Sequence, residues 1–189
     1  MKTKIILISL LLSTFMTAQE KLKIHSITTG FGGFYIHERD IYSETKTTTG
    51  TVIGITRGTE EIGGATFIIN AIFKYNKNLF NTQYISGSEI VFFGDNAEVK
   101  IREFSLQYGK EYKPFKWLHL QGFAGLGLYK QISNYPIKNI DTQISLPLTG
   151  TIKFNTSRYF GIGLNSNYSI NATNNVLGFN LTFSYTINQ

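Results

Sequence analysis

One polar stretch of the sequence combines the residue types of a hydrolytic site. It contains a histidine, two acids, an arginine and a serine, namely His37, Glu38, Asp40, Arg39 and Ser43. A base, an acid that orients it and a serine nucleophile are the groups that acyl transfer or deacylation requires. The same residue types also meet by chance in polar loops, and no His-x-Ser spacing occurs. We therefore keep an acyl-transferring or deacylating enzyme as an alternative and assign no catalytic residue.

A second set of charged side chains falls at alternating positions within apolar stretches. These residues share the polar parity of their stretches, and they are Lys74, Glu103, Glu111, His119 and Lys153. The interior of a narrow closed sheet is just wide enough for side chains, so charges that point into it must be paired. We expect an ion-pair network in which one of the two glutamates meets Lys74 or Lys153. A gated narrow pore or a proton path is the functional alternative.

The composition argues against several other kinds of site. The chain has no cysteine, so it forms no disulfide and no thiolate metal site. Its histidines, His25, His37 and His119, are too scattered to predict a metal site, and we expect no cofactor. No helix follows the glycine-rich ITTGFGGFYI, so we expect close strand packing there and no nucleotide binding. The basic residues are also scattered, which argues against nucleic-acid binding.

The N-terminus has the organisation of a signal peptide. Two lysines, an apolar run and small residues follow one another in MKTKIILISLLLSTFMTAQE. The run is too short to span a bilayer as a helix. We predict a signal peptide over residues 1–18, with cleavage near 18/19, and a mature domain over 19–189. Without Lys2 and Lys4, 16 of the 18 Lys plus Arg remain against 12 Asp plus Glu, a net charge of +4.

The C-terminal stretch shows a pattern that recurs through the mature chain. In NNVLGFNLTFSYTINQ the large apolar residues take every second position, and they are Leu177, Phe179, Leu181, Phe183, Tyr185 and Ile187. Small and polar residues stand between them. Alternation with period two is typical of β-strands. We predict eight strands, over about 22–36, 62–75, 79–93, 99–112, 117–129, 144–155, 159–170 and 175–187.

The predicted connections alternate in length. Three are short turns, at about 76–78, 113–116 and 156–158, whereas the others include a long segment over about 37–61. Short turns at one end and longer loops at the other are the pattern of transmembrane barrels. The first and third strands alternate too weakly to fix which face points inward. Val99 and Ile101 break the apolar parity of the fourth strand, which predicts a bulge or a later start.

The absence of charge near the C-terminus distinguishes a membrane barrel from a soluble one. From Tyr159 to Gln189 there is no Lys, Arg, Asp, Glu or His. An uncharged surface of that length would invite aggregation in water. Against lipid it is favourable, because a charge near the bilayer midplane costs about 2–4 kcal/mol. We therefore predict that the six apolar residues of the last strand face lipid.

Aromatic residues cluster near both predicted ends of the barrel. Trp117 and Tyr185 are examples at the short-turn end, and Phe34 and Tyr129 are examples at the other end. Such barrels carry an aromatic girdle at each membrane interface. The sequence therefore predicts two girdles.

The segment ISLPLTGTIKFNTSRYFGIGLNSNYSI, followed by LGFNLTFSYTI, resembles the small outer-membrane β-barrel domain family. The similar parts are the Leu-Pro-Leu strand, the short turn and the strand that begins aromatic-Gly-x-Gly. The mature chain is similar in architecture to eight-stranded barrels of the OmpA/OmpX type. One departure is the end Ile187-Asn188-Gln189, where such proteins often end on an aromatic residue. We expect the barrel-assembly machinery as a partner, and this departure bears on how that machinery recognises the C-terminus, not on the barrel itself.

These features predict an all-β fold, an eight-stranded antiparallel up-and-down transmembrane β-barrel in the outer membrane of a Gram-negative bacterium. The resemblance implies a structural or surface-interaction role with no specific activity. We expect a monomer that contacts outer-membrane lipid and lipopolysaccharide, the latter through basic residues such as Arg102 and Lys130. Two alternatives remain open: a lipid-modifying outer-membrane enzyme that uses His37 and its neighbours, and a soluble periplasmic barrel that binds a lipophile.

Overall fold

The structure is a computed structural model that describes the backbone of residues 22–46, 52–90, 99–133, 139–172 and 174–187. Side chains are described for the same residues except 37–46, 52–61 and 139–141. The predicted signal peptide lies outside the described residues. Eight strands make up most of the backbone: β1 (Lys23–Lys46), β2 (Val52–Tyr75), β3 (Asn78–Glu89), β4 (Val99–Phe115), β5 (Leu118–Ser133), β6 (Asn139–Asn155), β7 (Phe160–Asn171) and β8 (Asn175–Thr186).

The eight strands form a closed antiparallel barrel in sequence order, which confirms the predicted fold. Each strand pairs with the next, and β1 closes the barrel by pairing with β8, as where Phe31 lies opposite Leu181. Closure pairs the backbone N–H and C=O groups around the whole barrel wall. A sheet in hydrocarbon has to close in this way, because lipid offers no hydrogen-bond partner to an open edge. Within the described residues, no helix is long and apolar enough to cross a bilayer.

Side chains alternate between the interior and the exterior of the barrel. In β8, Asn180 is buried inside and Phe179 is exposed outside. The alternation follows from the two-residue period of a β-strand. It also fixes the facing of the two strands that the sequence leaves open, since Thr28 of β1 and Asn81 of β3 are buried in the interior.

Two of the strands are much longer than the sequence predicts. β1 and β2 have 24 residues each and pair from Lys23 opposite Lys74 to Lys46 opposite Val52. The long connection predicted over 37–61 is therefore wrong for most of its length. The reason is that this polar, threonine-rich segment lacks the apolar alternation that reveals a half-buried strand.

The extra length of β1 and β2 projects beyond the barrel wall. The pairing of β1 with β8 ends where His37 lies opposite Asn175, and β2 begins to pair with β3 at Gly64. Beyond these points the two strands pair only with each other in the described backbone, over residues 38–46 and 52–62. We call this two-stranded extension the hairpin arm, and its end of the barrel the arm end.

Short turns join the strands at the opposite end, as predicted. Asn76 and Lys77 connect β2 to β3, Lys116 and Trp117 connect β4 to β5, and residues 156–159 connect β6 to β7. Asn76 has a φ of 55°, a left-handed conformation that asparagine adopts more readily than most residues in a two-residue hairpin turn. We call this end of the barrel the turn end.

The fourth strand is regular where the sequence predicts a bulge. Val99 and Ile101 share the inward parity of Glu103, and β4 pairs with β5 without a shift from Val99 to Tyr112. The irregularity lies at the turn end, between Tyr112 and Phe115. The prediction is wrong because it assumes that every apolar side chain in these strands points outward. Val99 and Ile101 point inward.

The aromatic girdle at the arm end is also smaller than predicted. Phe34 and Tyr129 are only 5% and 2% exposed, because they point into the barrel. Tyr35 and Tyr168 do point outward at this end. The interior at the arm end therefore contains large apolar side chains beside buried polar ones such as Gln131 and Ser133.

Candidate functional site

The outer surface of the barrel carries a broad apolar belt to which every strand contributes. The exposed side chains of this belt include Phe31, Phe67, Tyr84, Leu106, Leu126, Leu148 and Leu164. From β8 it includes Phe179, Leu181, Phe183 and Tyr185, with Ile187 just beyond the strand and the half-buried Leu177 on the same parity. A soluble monomer does not expose apolar surface on this scale, which marks a surface that contacts lipid or protein.

Stacked aromatic rings border the belt at the turn end. Trp117 lies between Phe115 and Phe154, with ring centroids 5.3 Å and 6.0 Å away and the planes nearly parallel. Tyr185 contacts the rings of Tyr159 and Phe160 at the neighbouring strands β7 and β8. Aromatic rings with one apolar and one wet side are typical of a membrane–water interface. The turn end therefore has the girdle that the sequence predicts.

Seven apolar side chains close the interior at the arm end. They come from five strands and form one buried cluster, which we call the apolar seal: Phe34, Ile36, Ile62, Val99, Ile101, Tyr129 and Val176. Ile36 and Val99 have no exposed surface. The cluster lies just below the hairpin arm, at the height where Gln131 and Ser133 are also buried opposite Ile101 and Val99.

Two carboxylates lie beside the apolar seal: that of Glu89, which accepts a hydrogen bond from the backbone N–H of Val99 over 3.0 Å, and that of Glu103. Glu103 is 5% exposed, and one of its oxygens accepts hydrogen bonds from the hydroxyls of Ser145, at 2.5 Å, and Ser169, at 3.0 Å. Among the described residues it makes no ion pair with a lysine. The register explains the difference from the expected network, since Lys153 lies towards the turn end, beyond reach of Glu103.

The other glutamate of the expected network belongs to a polar group at the turn end. The Nδ1–H of His119 donates to a carboxylate oxygen of Glu111 over 2.8 Å, and the Nδ2–H of Asn155 donates to Nε2 of the same ring over 2.8 Å. Lys113 contacts the second carboxylate oxygen at 3.0 Å, and Gln121 donates to the first. This arrangement suits a neutral imidazole, with one nitrogen as donor and the other as acceptor.

The two lysines of the expected network lie apart from each other. Lys153 is 4% exposed, and its ammonium donates to the hydroxyl of Thr186 over 2.9 Å. Lys74 is half-buried at the turn end of β2 and has no ion pair among the described residues. The predicted residues therefore form two separate groups, one at Glu103 and one around Glu111, with Lys153 near the second. Their role as an ion-pair network stays a prediction.

Uncharged side chains fill the middle of the barrel. Gln107 donates to the side-chain oxygen of Gln83 over 3.0 Å and accepts from Asn81 over 3.1 Å. Several buried polar atoms, such as Asn70 Oδ1 and Ser26 Oγ, have no protein partner. Asn70 and Ser26 line an internal cavity of about 10 Å³, close to the minimum that one water molecule needs. The interior is thus filled by amides and hydroxyls, with room for isolated waters.

The turn end opens into a concave mouth that we call the turn-end cup. It has a volume of about 700 Å³. Its described lining comes from both ends of the chain and from two turns, and consists of His25, Lys113, Pro114, Phe115, Lys116, Trp117, His119, Asn155, Ser157, Arg158 and Thr186. Sequence reasoning finds only His119 of this set as a site residue. The available signal is that two short turns at one end, Lys113–Trp117 and Ser157–Arg158, both carry basic residues.

The structure does not describe the side chains of the candidate hydrolytic residues, so it does not test whether they form a site. The side chains of His37, Glu38, Asp40 and Ser43 lie outside the described residues, although their backbone belongs to β1. Among the side chains that the structure describes, no three His, Cys, Asp or Glu group closely enough to hold a metal ion.

Comparison with known proteins supports the fold. No family model and no curated protein matches the sequence. The crystal structure of Neisserial surface protein A is similar, with a TM-score of 0.61 and 9% identity over 86% of this chain and 97% of that one. The outer membrane protein Ail of Yersinia pestis, in a phospholipid bilayer nanodisc, is similar with a TM-score of 0.50 and 15% identity over 87% and 100% of the chains. At these identities the likeness concerns the fold alone.

The closed eight-stranded barrel, its apolar belt and its aromatic turn end define a class of protein. The chain is a small β-barrel protein of the bacterial outer-membrane type.

Proposed function

We propose that this protein is a monomeric outer-membrane barrel with a structural and surface-interaction role and no enzymatic activity. The observation that carries the proposal is the combination of an apolar exterior with an interior occupied by buried side chains, including the apolar cluster at the arm end. A signal peptide over residues 1–18 delivers the mature barrel, 19–189, to the periplasm, and the barrel-assembly machinery inserts it.

The hairpin arm is the part of the proposed barrel that contacts the cell exterior. In transmembrane barrels short turns face the periplasm, so the turn end faces inward and the arm faces outward. Ten residues of strand span about 33 Å, and the arm adds nearly that length to β1. Its two strands have no neighbours beyond each other in the described backbone. Unpaired strand edges are templates for pairing with an extended segment of another protein.

Lipopolysaccharide is the proposed lipid partner on the outer side. Arg102 and Lys130 lie directly opposite each other on neighbouring strands near the arm end, two positions along each strand from the belt residues Phe104 and Leu128. Neither has an ion pair among the described residues. Two like charges at directly opposed positions destabilise a sheet unless an anion compensates them. A phosphate group of lipopolysaccharide in the outer leaflet would supply that charge.

The alternatives have weaker support. A lipophile-binding barrel needs an apolar chamber, whereas the described interior is filled with amides and hydroxyls and its apolar seal is packed into one cluster. The enzyme alternative depends on the residue types around His37, whose side chains lie outside the described residues, and so it has no geometric support. We therefore propose neither role.

Two measurements test the proposal. An epitope inserted between Thr48 and Thr49 should be labelled by antibody on intact cells, because the arm projects outward. Labelling only after permeabilisation of the cells would contradict this orientation. The membrane location predicts that the protein resists osmotic-shock release, needs detergent for extraction, and migrates differently on electrophoresis when it is boiled.

The lipopolysaccharide contact has its own test. The double variant Arg102→Gln/Lys130→Gln should bind purified lipopolysaccharide several-fold more weakly than the parent, since exposed charges each contribute about 0.2–1 kcal/mol. Lys110→Gln is the matched control, because Lys110 is an exposed lysine of β4 nearer the turn end. Equal affinities for the double variant and the control would exclude this pair as the site.

A further inference from the structure

The turn-end cup carries an excess of positive charge. Of its described lining residues, Lys113, Lys116 and Arg158 carry fixed positive charges, and none carries a carboxylate. Glu111 is not part of the lining, but its carboxylate compensates the charge of Lys113 through the 3.0 Å contact. Lys116 has no ion pair among the described residues. Charges of one sign around a concave, low-dielectric surface attract and concentrate ions of the opposite sign.

A buried ammonium contacts one of the residues that line the cup. Lys153 is only 4% exposed, and its Nζ contacts the hydroxyl of Thr186, which is itself part of the cup lining. Gly161 leaves room for the lysine chain on the neighbouring strand, since a Cβ there would lie 2.7 Å from the Cε of Lys153. The sequence thus provides space for a lysine that is held inside the barrel wall.

This lysine is incompletely satisfied by the protein. An ammonium has three donors, and the bond to Thr186 is the one hydrogen bond of Lys153 in the described structure. The carboxylate of Glu111 interacts with Lys153 electrostatically but makes no direct contact with it in the described structure, and it also compensates Lys113. Burying a cation without a directly contacting charge or a full set of hydrogen bonds is costly. The adjacent internal cavity, which Lys153 helps to line, has room for about one water molecule. An anion at the floor of the cup would satisfy both the donors and the charge.

We propose that the turn-end cup binds a phosphate group, which sits between the buried Lys153 and the rim cations Lys116 and Arg158. A phosphate offers several acceptor oxygens to donors at different depths, unlike a single chloride ion. The stacked rings of Phe115, Trp117 and Phe154 put the rim at the level of lipid headgroups. The phosphate therefore comes either from a phospholipid headgroup of the inner leaflet or from the free pool in the periplasm.

The chain contains its own reporter for this site. Trp117 is the single tryptophan of the sequence, and it lines the cup. Inorganic phosphate is titrated into the whole folded protein in octyl glucoside, at constant ionic strength set with sodium chloride. The expected result is a saturable change in tryptophan fluorescence. A response no larger than that to chloride would overturn the proposal.

Three variants test the residues. Lys153→Gln should weaken phosphate binding about tenfold or more, as expected for loss of a buried charge-assisted hydrogen bond. Lys116→Gln/Arg158→Gln should weaken it about threefold, because both side chains lie at the exposed rim. Lys77→Gln is the matched control, since Lys77 is exposed in the other turn at this end and does not line the cup.

The exposed rim variant keeps the test decisive if Lys153→Gln does not fold. A rim variant that binds phosphate as tightly as Lys77→Gln overturns the proposal, and weaker binding supports it. The source of the phosphate is distinguished with glycerophosphoglycerol, the soluble headgroup of phosphatidylglycerol. Comparable affinity for this diester identifies a lipid headgroup as the ligand, whereas a response to inorganic phosphate alone identifies the free ion.

Discussion

The hydroxyl of Thr66 donates a hydrogen bond to the side-chain oxygen of Asn180 over 2.6 Å and so joins β2 to β8 across the intervening strand. Gly32 of β1 lies opposite both residues in register. With no side chain at Gly32, the two polar groups meet over its backbone. A Cβ there would overlap the carbonyl oxygen of Phe179. The glycine-rich ITTGFGGFYI therefore serves close packing inside the barrel.

We predict that Gly32→Val prevents or strongly weakens barrel folding. The new side chain overlaps backbone atoms and separates Thr66 from Asn180, and overpacking of this kind typically costs about 1–3 kcal/mol. The measurement is the free energy of unfolding in urea, followed by electrophoretic mobility without boiling. Gly150→Val is the control, because a Cβ at Gly150 meets nothing within 4 Å. Equal stability of the two variants would contradict the packing role of Gly32.

The apolar seal predicts a barrel that does not conduct ions. Apolar constrictions exclude water and so block ion passage, and Ile36 and Val99 are fully buried in this one. We expect little conductance from the parent protein in planar bilayers and a clear increase for Ile36→Asn/Val99→Asn. Ile72→Asn should behave like the parent, because Ile72 lies in a separate apolar cluster of the interior. Steady conductance by the parent would show that the seal does not close the lumen.

Glu103 predicts a difference between two substitutions at one position. Glu103→Gln keeps an acceptor for Ser145 and Ser169 and should cost little stability. Glu103→Ala leaves both buried hydroxyls without their acceptor, which should cost about 1–3 kcal/mol. Unfolding in urea in the presence of lipid vesicles measures both. If the two variants are equally destabilised, the carboxylate contributes through its charge rather than through the two hydrogen bonds that it accepts.

The sequence predicts the barrel well where one face of a strand is uniformly apolar. β8 follows its alternation closely, since Phe179 and Leu181 point outward and Asn180 inward. The same rule fails at Val99 and Ile101, because an apolar side chain in a membrane barrel has two favourable environments, the lipid and an interior apolar cluster. Periodicity separates the two faces of a strand but does not identify which apolar residues fill the interior.

The sites are harder to predict than the strands. The register between neighbouring strands decides which charged side chains meet in the interior. It places Glu103 and Lys153 at different heights along the barrel. The turn-end cup is harder still, because Thr186, Arg158 and Lys116 are distant in sequence and converge only when β1 pairs with β8. The basic character of the short turns is the one local signal for the cup.

The orientation of β8 is tested most directly by lipids with brominated acyl chains, which quench a nearby tryptophan. In a Trp117→Phe background, tryptophan is placed in turn at Leu181, which is exposed on the belt, and at Thr182, which is buried inside. We predict strong quenching of Leu181→Trp by bromine placed deep in the bilayer, and weak quenching of Thr182→Trp. Strong quenching at Thr182 with none at Leu181 would mean that the faces are reversed, and no quenching at either would mean that the barrel does not lie in lipid.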